Sequence, residues 1–276
     1  MNDEARIAQH YESNGLLERL KRALPVVGAE GDSLSLKDLA PLDQFHSRGL
    51  KATIELAQLL PLNEATRVID IGSGLGGPSR YLAHEFGCTV NGIDLSPPFV
   101  EAATYLAQRT GLSDKVTYEC GDALHLPFPD ASFDVAWTQH VAMNIGDRAG
   151  LYREASRVLR PGGSFAFFDV LATSETPLHY PVPWARGPES SFLVTPDRMR
   201  QLMLEQGFKE ESWLDSTQSA IEWFAARERS QAQQSTPPAL GLHLAMGPGF
   251  GEMTANLARN LREGRAALIQ AIYRKG

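Results

Sequence analysis

The feature that most constrains the fold is an alternation of short apolar runs and helix-length segments between residues 67 and 171. The apolar runs have strand length and lie at 67–71, 89–95, 116–120, 132–139 and 164–171. Amphipathic segments typical of helices lie at 76–87, 97–111 and 148–159. Parallel strands need crossovers of this kind, so the pattern predicts βαβ units with right-handed connections.

The alternation stops after residue 171. Residues 172–194 are rich in proline and aromatic side chains, and a loop of this length inside a compact domain usually has a function. Strand-like segments at 208–215 and 267–274 follow without an ordinary crossover between them, which predicts an antiparallel edge. Before the alternation, residues 1–24 and 48–60 are predicted to be helices.

A glycine-rich loop follows the first predicted strand, in the stretch VIDIGSGLGG. Gly72, Gly74 and Gly77 satisfy G-x-G-x-x-G, a spacing that lets the backbone approach a ligand closely at a helix N-terminus. This arrangement binds pyrophosphate, and it binds a carboxylate equally well. Asp70 stands two positions before the first glycine, where it would repel a pyrophosphate and attract a cationic group.

Two further acids follow the next strands. Asp94 ends the second strand, 20 residues beyond Gly74, where an acid can accept both hydroxyls of a ribose. Asp122 lies just past the third strand, where it can receive an exocyclic amine. These positions together predict a ligand that carries a ribose, an adenine, a carboxylate and an amine or sulfonium.

Composition excludes several other classes of protein. The formal charge of −7 makes nonspecific binding to nucleic acid or an anionic membrane unfavourable. No apolar run reaches the roughly 20 residues of a membrane span, and the polar start lacks the features of a secretory signal, so we expect a cytoplasmic protein. Cys88 and Cys120 allow one disulfide by count alone, but a reducing compartment favours buried free thiols, and with no clustered histidines the two cysteines predict no metal site.

The motifs VIDIGSGLGG, VNGIDLS, CGDALHLPFPDASFDVAWTQ and EASRVLRPGGSFAFFD closely resemble the successive motifs of class I S-adenosylmethionine-dependent methyltransferases. The resemblance covers residues 44–171. It implies an α/β, Rossmann-like, mostly parallel sheet of seven strands with helices on both faces and an antiparallel last strand. We therefore expect a helical N-terminal lid at 1–60, a cofactor-binding core at 61–171, and a substrate-cap insert with the last part of the sheet at 172–276.

The resemblance also implies how the chain holds the cofactor S-adenosylmethionine and its product, S-adenosylhomocysteine. The glycine loop approaches the methionine part, Asp94 takes the ribose hydroxyls and Leu95 packs on the adenine. The implied cofactor-binding set is Asp70, Gly72, Ser73, Gly74, Gly76, Asp94, Leu95, Asp122, Ala123, Leu124 and Gln139. Arg48, before the second helix, is a further candidate that either reaches a carboxylate or is a solvated surface side chain.

A finer resemblance, to the sarcosine/dimethylglycine N-methyltransferase group, rests on LDQFHSRGLKATIELAQLL and on YPVPWA with the residues after it. Tocopherol-type and other small-molecule methyltransferases share these flanking patterns. We expect a small soluble acceptor, with an amine nitrogen favoured. Oxygen or carbon methylation of a phenolic, quinol-like or other natural-product acceptor is the alternative.

Several aromatic and histidine side chains are candidates for contact with the acceptor. His140, directly after Gln139, is the first candidate for a general base or a substrate hydrogen bond, and His179 is the alternative base. Tyr180, Trp184 and Phe192 form a candidate aromatic cage for a methylated amine, or they simply pack the loop. Tyr11 either closes a lid over the cofactor or packs a helix.

Two functions of other classes are weighed against methyl transfer. A nicotinamide-dependent oxidoreductase uses the same glycine spacing, but the sequence lacks a Tyr-x-x-x-Lys-like or histidine-based hydride site. A noncatalytic cofactor-binding module would keep the acids and lose transfer. No nucleic-acid partner is expected, and the apolar segments at 217–262 either form a homodimer contact or cap the pocket.

Overall fold

A computed structural model describes residues 15–24, 34–173, 175–232, 240–247 and 249–276. Tyr11, a predicted lid residue, lies outside these ranges. The strands are β1 (Arg67–Ile71), β2 (Thr89–Asp94), β3 (Val116–Cys120), β4 (Phe133–Gln139), β5 (Leu159–Ala172), β6 (Phe208–Asp215) and β7 (Ala266–Lys275). The helices are α1 (Leu16–Ala23), α2 (Leu36–Asp43), α3 (Leu50–Ala57), α4 (Gly77–Phe86), α5 (Pro97–Arg109), α6 (Arg148–Val158), α7 (Pro196–Glu205), α8 (Thr217–Ala232), α9 (His243–Met246) and α10 (Phe250–Arg262).

The seven strands form one sheet in the order β3-β2-β1-β4-β5-β7-β6. β1 pairs in parallel with β2 and β4, and β7 runs antiparallel to both β5 and β6. The strand order reverses at β1, which places a crevice at the carboxyl ends of β1 and β4. The expected Rossmann-like sheet of seven strands, with its antiparallel last strand, is confirmed.

Alternating side chains of the strands build a core on each face of the sheet. Val68 of β1 packs in the core that includes α3 and α4, whereas Ile69 and Ile71 pack in the core that includes α6 and α7. This near-continuous apolar run is typical of a parallel strand covered on both faces. Helices on both faces were expected from the sequence, and this expectation is confirmed.

Helix α2 was not predicted from the sequence. Ser35 caps it in a capping box, in which the Ser35 side chain accepts from the Asp38 backbone N–H and the Asp38 carboxylate accepts from the Ser35 backbone N–H. The helix contains Pro41, which argues against a helix when propensity alone is considered. Leu39 and Leu42, which belong to this helix, are fully buried, so tertiary packing stabilises it.

The two cysteines are free, as expected. Cys88 is buried, but Cys120 is exposed, so the expectation of burial is wrong for Cys120. Cys120 ends β3, which is an edge strand and therefore leaves its last residues uncovered. Within the described residues, no helix is long and apolar enough to cross a membrane, and no cluster of side chains has the composition of a metal site.

Candidate active site

The glycine loop turns back onto the neighbouring strand through its own backbone. The amides of Gly72 and Ser73 donate to the Ile93 carbonyl at 2.7 and 3.0 Å. Gly72 and Gly74 have φ values of 74° and 52°, a region that glycine adopts without the steric penalty of a Cβ. The loop therefore lies across the carboxyl ends of β1 and β2, beside the crevice.

Asp94 joins the loop to the end of β2. Its carboxylate accepts from the Gly74 amide at 2.8 Å through one oxygen and from the Ser96 amide at 2.9 Å through the other. Each oxygen keeps a second lone pair, and burial raises the pKa of Asp94. A ligand that brings hydroxyl donors can therefore use the remaining lone pairs.

Asp70 is buried at the end of β1. It accepts from the Ser79 hydroxyl at 2.5 Å. Burial raises the pKa of Asp70 to about 7, the Ser79 hydrogen bond opposes this shift, and the Asp94 charge adds to it. A cationic ligand in the crevice would favour the ionised form of Asp70.

Asp122 and the residues after it form the outer end of the site. One Asp122 oxygen accepts from the Leu124 amide at 2.9 Å, and the other lies 2.7 Å from Nδ1 of the exposed His125. These contacts fix the turn after β3. The turn therefore presents Asp122, Ala123 and Leu124 to the crevice together.

These residues line a cavity of about 320 Å³, the cofactor cavity. Its lining includes most of the residues for which the sequence analysis predicted cofactor contact: Asp70, Gly72, Ser73, Gly74, Asp94, Leu95, Asp122, Ala123, Leu124 and Gln139. Two buried polar atoms of this lining, Ser73 Oγ and Gln139 Nε2, have no hydrogen-bond partner among the described residues. Unpaired buried polar groups are costly, so these atoms fit a polar ligand such as the amino-acid part of S-adenosylmethionine.

His140 also lines the cofactor cavity. Its φ is 55°, and its backbone N–H donates to the Phe168 carbonyl at 2.7 Å. The imidazole ring lies 4.8 Å from the Phe168 ring and 6.0 Å from the His46 ring, centroid to centroid. Its Nε2 atom is buried without a hydrogen-bond partner in the described structure. Burial, with a smaller effect of His46, lowers the pKa of His140 well below its ordinary value, so the ring is neutral.

A second, smaller pocket of about 50 Å³ meets the cofactor cavity at Phe45, His46 and His140. We call it the acceptor pocket. The rest of its described lining is mostly apolar and comes mainly from the loop after β5 and from α8 and α10. It comprises Ser47, Met143, Pro183, Trp184, Trp223, Phe224, Arg227, Leu242, Phe250, Thr254 and Leu257. The pocket is small, and its apolar lining beside a histidine and the cofactor cavity is suited to the apolar part of a second reactant.

Other predicted site residues lie away from both cavities. Arg48 pairs with Glu55 at 2.7 Å, and His179 Nε2 lies 2.8 Å from the Glu263 carboxylate. Gly76 lies behind the loop, where its carbonyl accepts from the Tyr118 hydroxyl at 3.0 Å. None of these three residues lines either cavity.

Only one of the three residues of the predicted aromatic cage lines the acceptor pocket. Trp184 lines the acceptor pocket, and its indole Nε1 donates to the Ser191 hydroxyl at 2.9 Å. Tyr180 packs against the core that includes α3 and α4, and the Phe192 carbonyl accepts from Arg148. Neither Tyr180 nor Phe192 belongs to the lining of the acceptor pocket, so the structure does not bring the three rings around one point.

Sequence reasoning missed residues of the N-terminal segment and of α8. Asp43, at the end of α2, lines the cofactor cavity and forms a buried ion pair with Arg80. His46 Nε2 lies 3.1 Å from the Thr53 hydroxyl, and burial lowers the pKa of His46 to about 4. A signal for this segment was present in the sequence, because Ser35 and Asp38 have the spacing of a capping box. No comparable signal marked Arg227.

Comparisons with known proteins agree with this geometry. Residues 69–167 match the family described as "Methyltransferase domain". The chain is 37% identical over 183 residues to 27-O-demethylrifamycin SV methyltransferase of Amycolatopsis mediterranei, covering 65% of this chain and 67% of that protein. It is 33% identical over 150 residues to sarcosine/dimethylglycine N-methyltransferase of Halorhodospira halochloris, covering 54% of each. The chain thus spans about half to two thirds of the length of these relatives.

A solved structure matches over the whole chain. Geranyl diphosphate C-methyltransferase from Streptomyces coelicolor A3(2), in complex with Mg²⁺, geranyl-S-thiolodiphosphate and S-adenosyl-L-homocysteine, has a TM-score of 0.73 at 17% identity, covering 100% of this chain and 99% of that one. This likeness shows a shared fold. Taken with the sequence matches, it means that the glycine spacing does not indicate a nicotinamide-dependent oxidoreductase. The chain belongs to the family of S-adenosylmethionine-dependent small-molecule methyltransferases.

Proposed function

We propose that this chain transfers the methyl group of S-adenosylmethionine to a hydroxyl oxygen of a small acceptor with an apolar body. The observation that supports this proposal is the position of His140. Its ring lines both the cofactor cavity and the acceptor pocket, and its buried Nε2 has no partner among the described residues. A neutral imidazole at this junction can accept the proton of a hydroxyl nucleophile.

In this proposal, the residues of the cofactor cavity each hold one part of the cofactor. Asp94 accepts the ribose hydroxyls, and the turn at Asp122 holds the adenine. Asp70, Ser73 and Gln139 hold the amino-acid part with its cationic amine. The bound cofactor supplies an electrophilic methyl group on a sulfonium.

His140 would act as a base because it is held neutral and in place. Contact with Phe168 and the backbone hydrogen bond to the Phe168 carbonyl fix the ring. The proton would move from the acceptor hydroxyl to Nε2 as the oxygen attacks. The positive charge of the sulfonium would thus pass to the imidazole, which releases the proton to solvent after transfer, while Phe45 and Trp184 line the pocket around the acceptor.

The lining of the acceptor pocket favours oxygen over nitrogen. Within the described lining of this pocket there is no carboxylate that could attract a protonated amine. A hydroxyl also gains more from a base, because its oxygen is a weak nucleophile until the proton is removed, whereas a neutral amine nitrogen attacks through its own lone pair. Among the relatives, the rifamycin enzyme is named for O-methylation, the sarcosine enzyme for N-methylation and the geranyl diphosphate enzyme for C-methylation.

The proposal is tested by a transfer screen with matched acceptors. Phenols and aliphatic alcohols of increasing apolar size are incubated with the cofactor beside the corresponding primary amines, and mass spectrometry detects the methylated products. We expect the alcohols or phenols to be methylated and the matched amines to react more slowly. Preferential methylation of the amines would overturn the assignment of the acceptor atom.

A histidine variant tests the role of His140 in the same screen. His140→Gln is expected to lower kcat by a factor of about 10² to 10⁴, the usual contribution of a general base. The affinity for S-adenosylhomocysteine should remain near that of the wild type. His84→Gln is the matched control because His84 is an exposed residue of α4. An unchanged kcat in His140→Gln would contradict the base.

A further inference from the structure

The acceptor pocket contains one feature that methyl transfer itself does not use. Arg227 of α8 lines the pocket, four residues after Trp223. Its guanidinium lies 5.5 Å from the centroid of the Trp223 ring. Apart from the two histidines, Arg227 is the one side chain in the described lining that can carry a charge.

Arg227 has no carboxylate partner among the described residues, although acids lie close in sequence. The next residue, Glu228, pairs instead with Arg262 of α10 at 2.6 Å. Other arginines of the carboxyl-terminal part, such as Arg259 and Arg274, also hold carboxylates at 2.7 and 2.8 Å. Arg227 is therefore a cation whose counter-charge the described protein does not supply.

Arg227 is exposed at the mouth of the acceptor pocket, and its apolar neighbours remove only part of its contact with water. Burial lowers the pKa of Arg227, which means that its charged form has lost part of its contact with water. Arginine nevertheless stays protonated at neutral pH. A cation held at the edge of an apolar pocket is stabilised when an anion replaces the lost water.

We propose that the acceptor carries an anionic group and that Arg227 binds this group at the mouth of the acceptor pocket, while the acceptor hydroxyl faces His140. This inference rests on the proposed function for the position of the hydroxyl. The chemistry that the guanidinium recognises is a carboxylate, a phosphate or a sulfate, because its planar fork binds two oxygens at once. Arg227 is thus a specificity-determining residue that selects anionic acceptors over neutral and cationic ones.

A binding experiment tests the anion site without methyl transfer. The probes are benzoate, phenylacetate and 3-phenylpropionate, each compared with its primary amide, in the presence of S-adenosylhomocysteine. Phenyl phosphate and phenyl sulfate distinguish the possible anions. Calorimetry should show that at least one anion binds about tenfold more tightly than its neutral analogue, as expected for one charge-assisted hydrogen-bond pair.

Variants assign the preference to Arg227. Arg227→Gln should bind each acid and its amide equally, whereas Arg227→Lys should keep part of the preference. Arg229→Gln is the control, because Arg229 is exposed on the same helix and does not line the pocket. Equal binding of acids and amides by the wild type, or a preference that survives in Arg227→Gln, would overturn the inference.

A transfer experiment separates this inference from the proposed function. The acceptors are 4-hydroxybenzoate, 4-hydroxyphenylacetate and 3-(4-hydroxyphenyl)propionate with their amides. In Arg227→Gln, the KM for the preferred acid should rise about tenfold with little change in kcat, and values for the amides should not move. If the acids bind through Arg227 but no O-methyl product forms, the anion site stands and the proposed function fails. If acids and amides are methylated equally by the wild type, the proposed function stands and the anion site fails.

Discussion

Replacing Asp94 with asparagine tests whether this carboxylate holds the cofactor ribose. The carboxylate accepts one backbone N–H on each oxygen, from Gly74 at 2.8 Å and from Ser96 at 2.9 Å. Asparagine has nearly the same shape but offers one acceptor oxygen and one donor amide. In Asp94→Asn, the amide group must therefore face a backbone N–H, and one ribose hydroxyl loses its acceptor.

The magnitude follows from the number of charge-assisted hydrogen bonds lost. One such bond to the ribose contributes about 1.5–3 kcal/mol, so the dissociation constant for S-adenosylhomocysteine should rise by a factor of about 10 to 150. The free energy of unfolding should fall less, by about 1 kcal/mol. Burial raises the pKa of Asp94, so the neutral amide removes part of a desolvation cost that the carboxylate bears in the free protein.

Isothermal titration calorimetry with S-adenosylhomocysteine measures the first quantity, and urea unfolding measures the second. Asp114→Asn is the matched control, because Asp114 is exposed in the turn before β3. A folded Asp94→Asn protein that binds S-adenosylhomocysteine within twofold of the wild type would refute the ribose contact. An equal loss of affinity in Asp114→Asn would show that the effect is a general one of charge.

Three further predictions concern the loop and the titrating groups. Gly76→Ala should lower the free energy of unfolding, measured in urea, by about 2–4 kcal/mol. The reasons are that φ of Gly76 is 76° and that the new Cβ would clash with the Tyr118 hydroxyl oxygen. An unchanged urea midpoint would contradict this close approach. The kcat of methyl transfer should be independent of pH near neutrality and should fall only below pH 6.5. The reason is that burial lowers the pKa of His140, and protonation removes the base. A kcat that falls as the pH drops from 8 to 7 would contradict the prediction that His140 is neutral in this range. Binding of S-adenosylmethionine at pH 7 should release a fraction of a proton. The reason is that the pKa of Asp70 is about 7 in the free protein and that a cationic ligand lowers it. Calorimetric binding heats that are the same in buffers of different ionisation enthalpy would contradict this proton release.

Much of the sheet could be predicted from the sequence because its strands are short runs of apolar or alternating residues that turn residues separate. β1 and β3 were predicted with their observed bounds, since Arg67–Ile71 and Val116–Cys120 are short apolar runs between turn residues. Helix α2 was missed because Pro41 lowers its helix propensity and buried leucine contacts stabilise it. β5 begins at Leu159, earlier than predicted, because Leu159 pairs with Phe133 across an irregular register.

The cofactor cavity was easier to predict than the acceptor pocket. Asp70, Asp94 and Asp122 occupy fixed positions at the ends of adjacent parallel strands, so their sequence spacing implies their proximity. The acceptor pocket brings together residues such as His46, in the loop between α2 and α3, and Arg227 of α8, which are far apart in sequence and lie outside the sheet. Their proximity depends on how α8 and α10 pack, and no short motif encodes it.

If a hydroxyl oxygen beside His140 receives the methyl group, the labelled product must carry its new methyl group on oxygen. The protein is incubated with ¹³C-methyl-labelled S-adenosylmethionine and a phenol that carries a free amine on the same ring system, and the product is analysed by NMR and mass spectrometry. We expect a single labelled methyl group bonded to oxygen, and we expect much less of this product from His140→Gln. A labelled methyl group on nitrogen or carbon in the wild-type product would contradict the account.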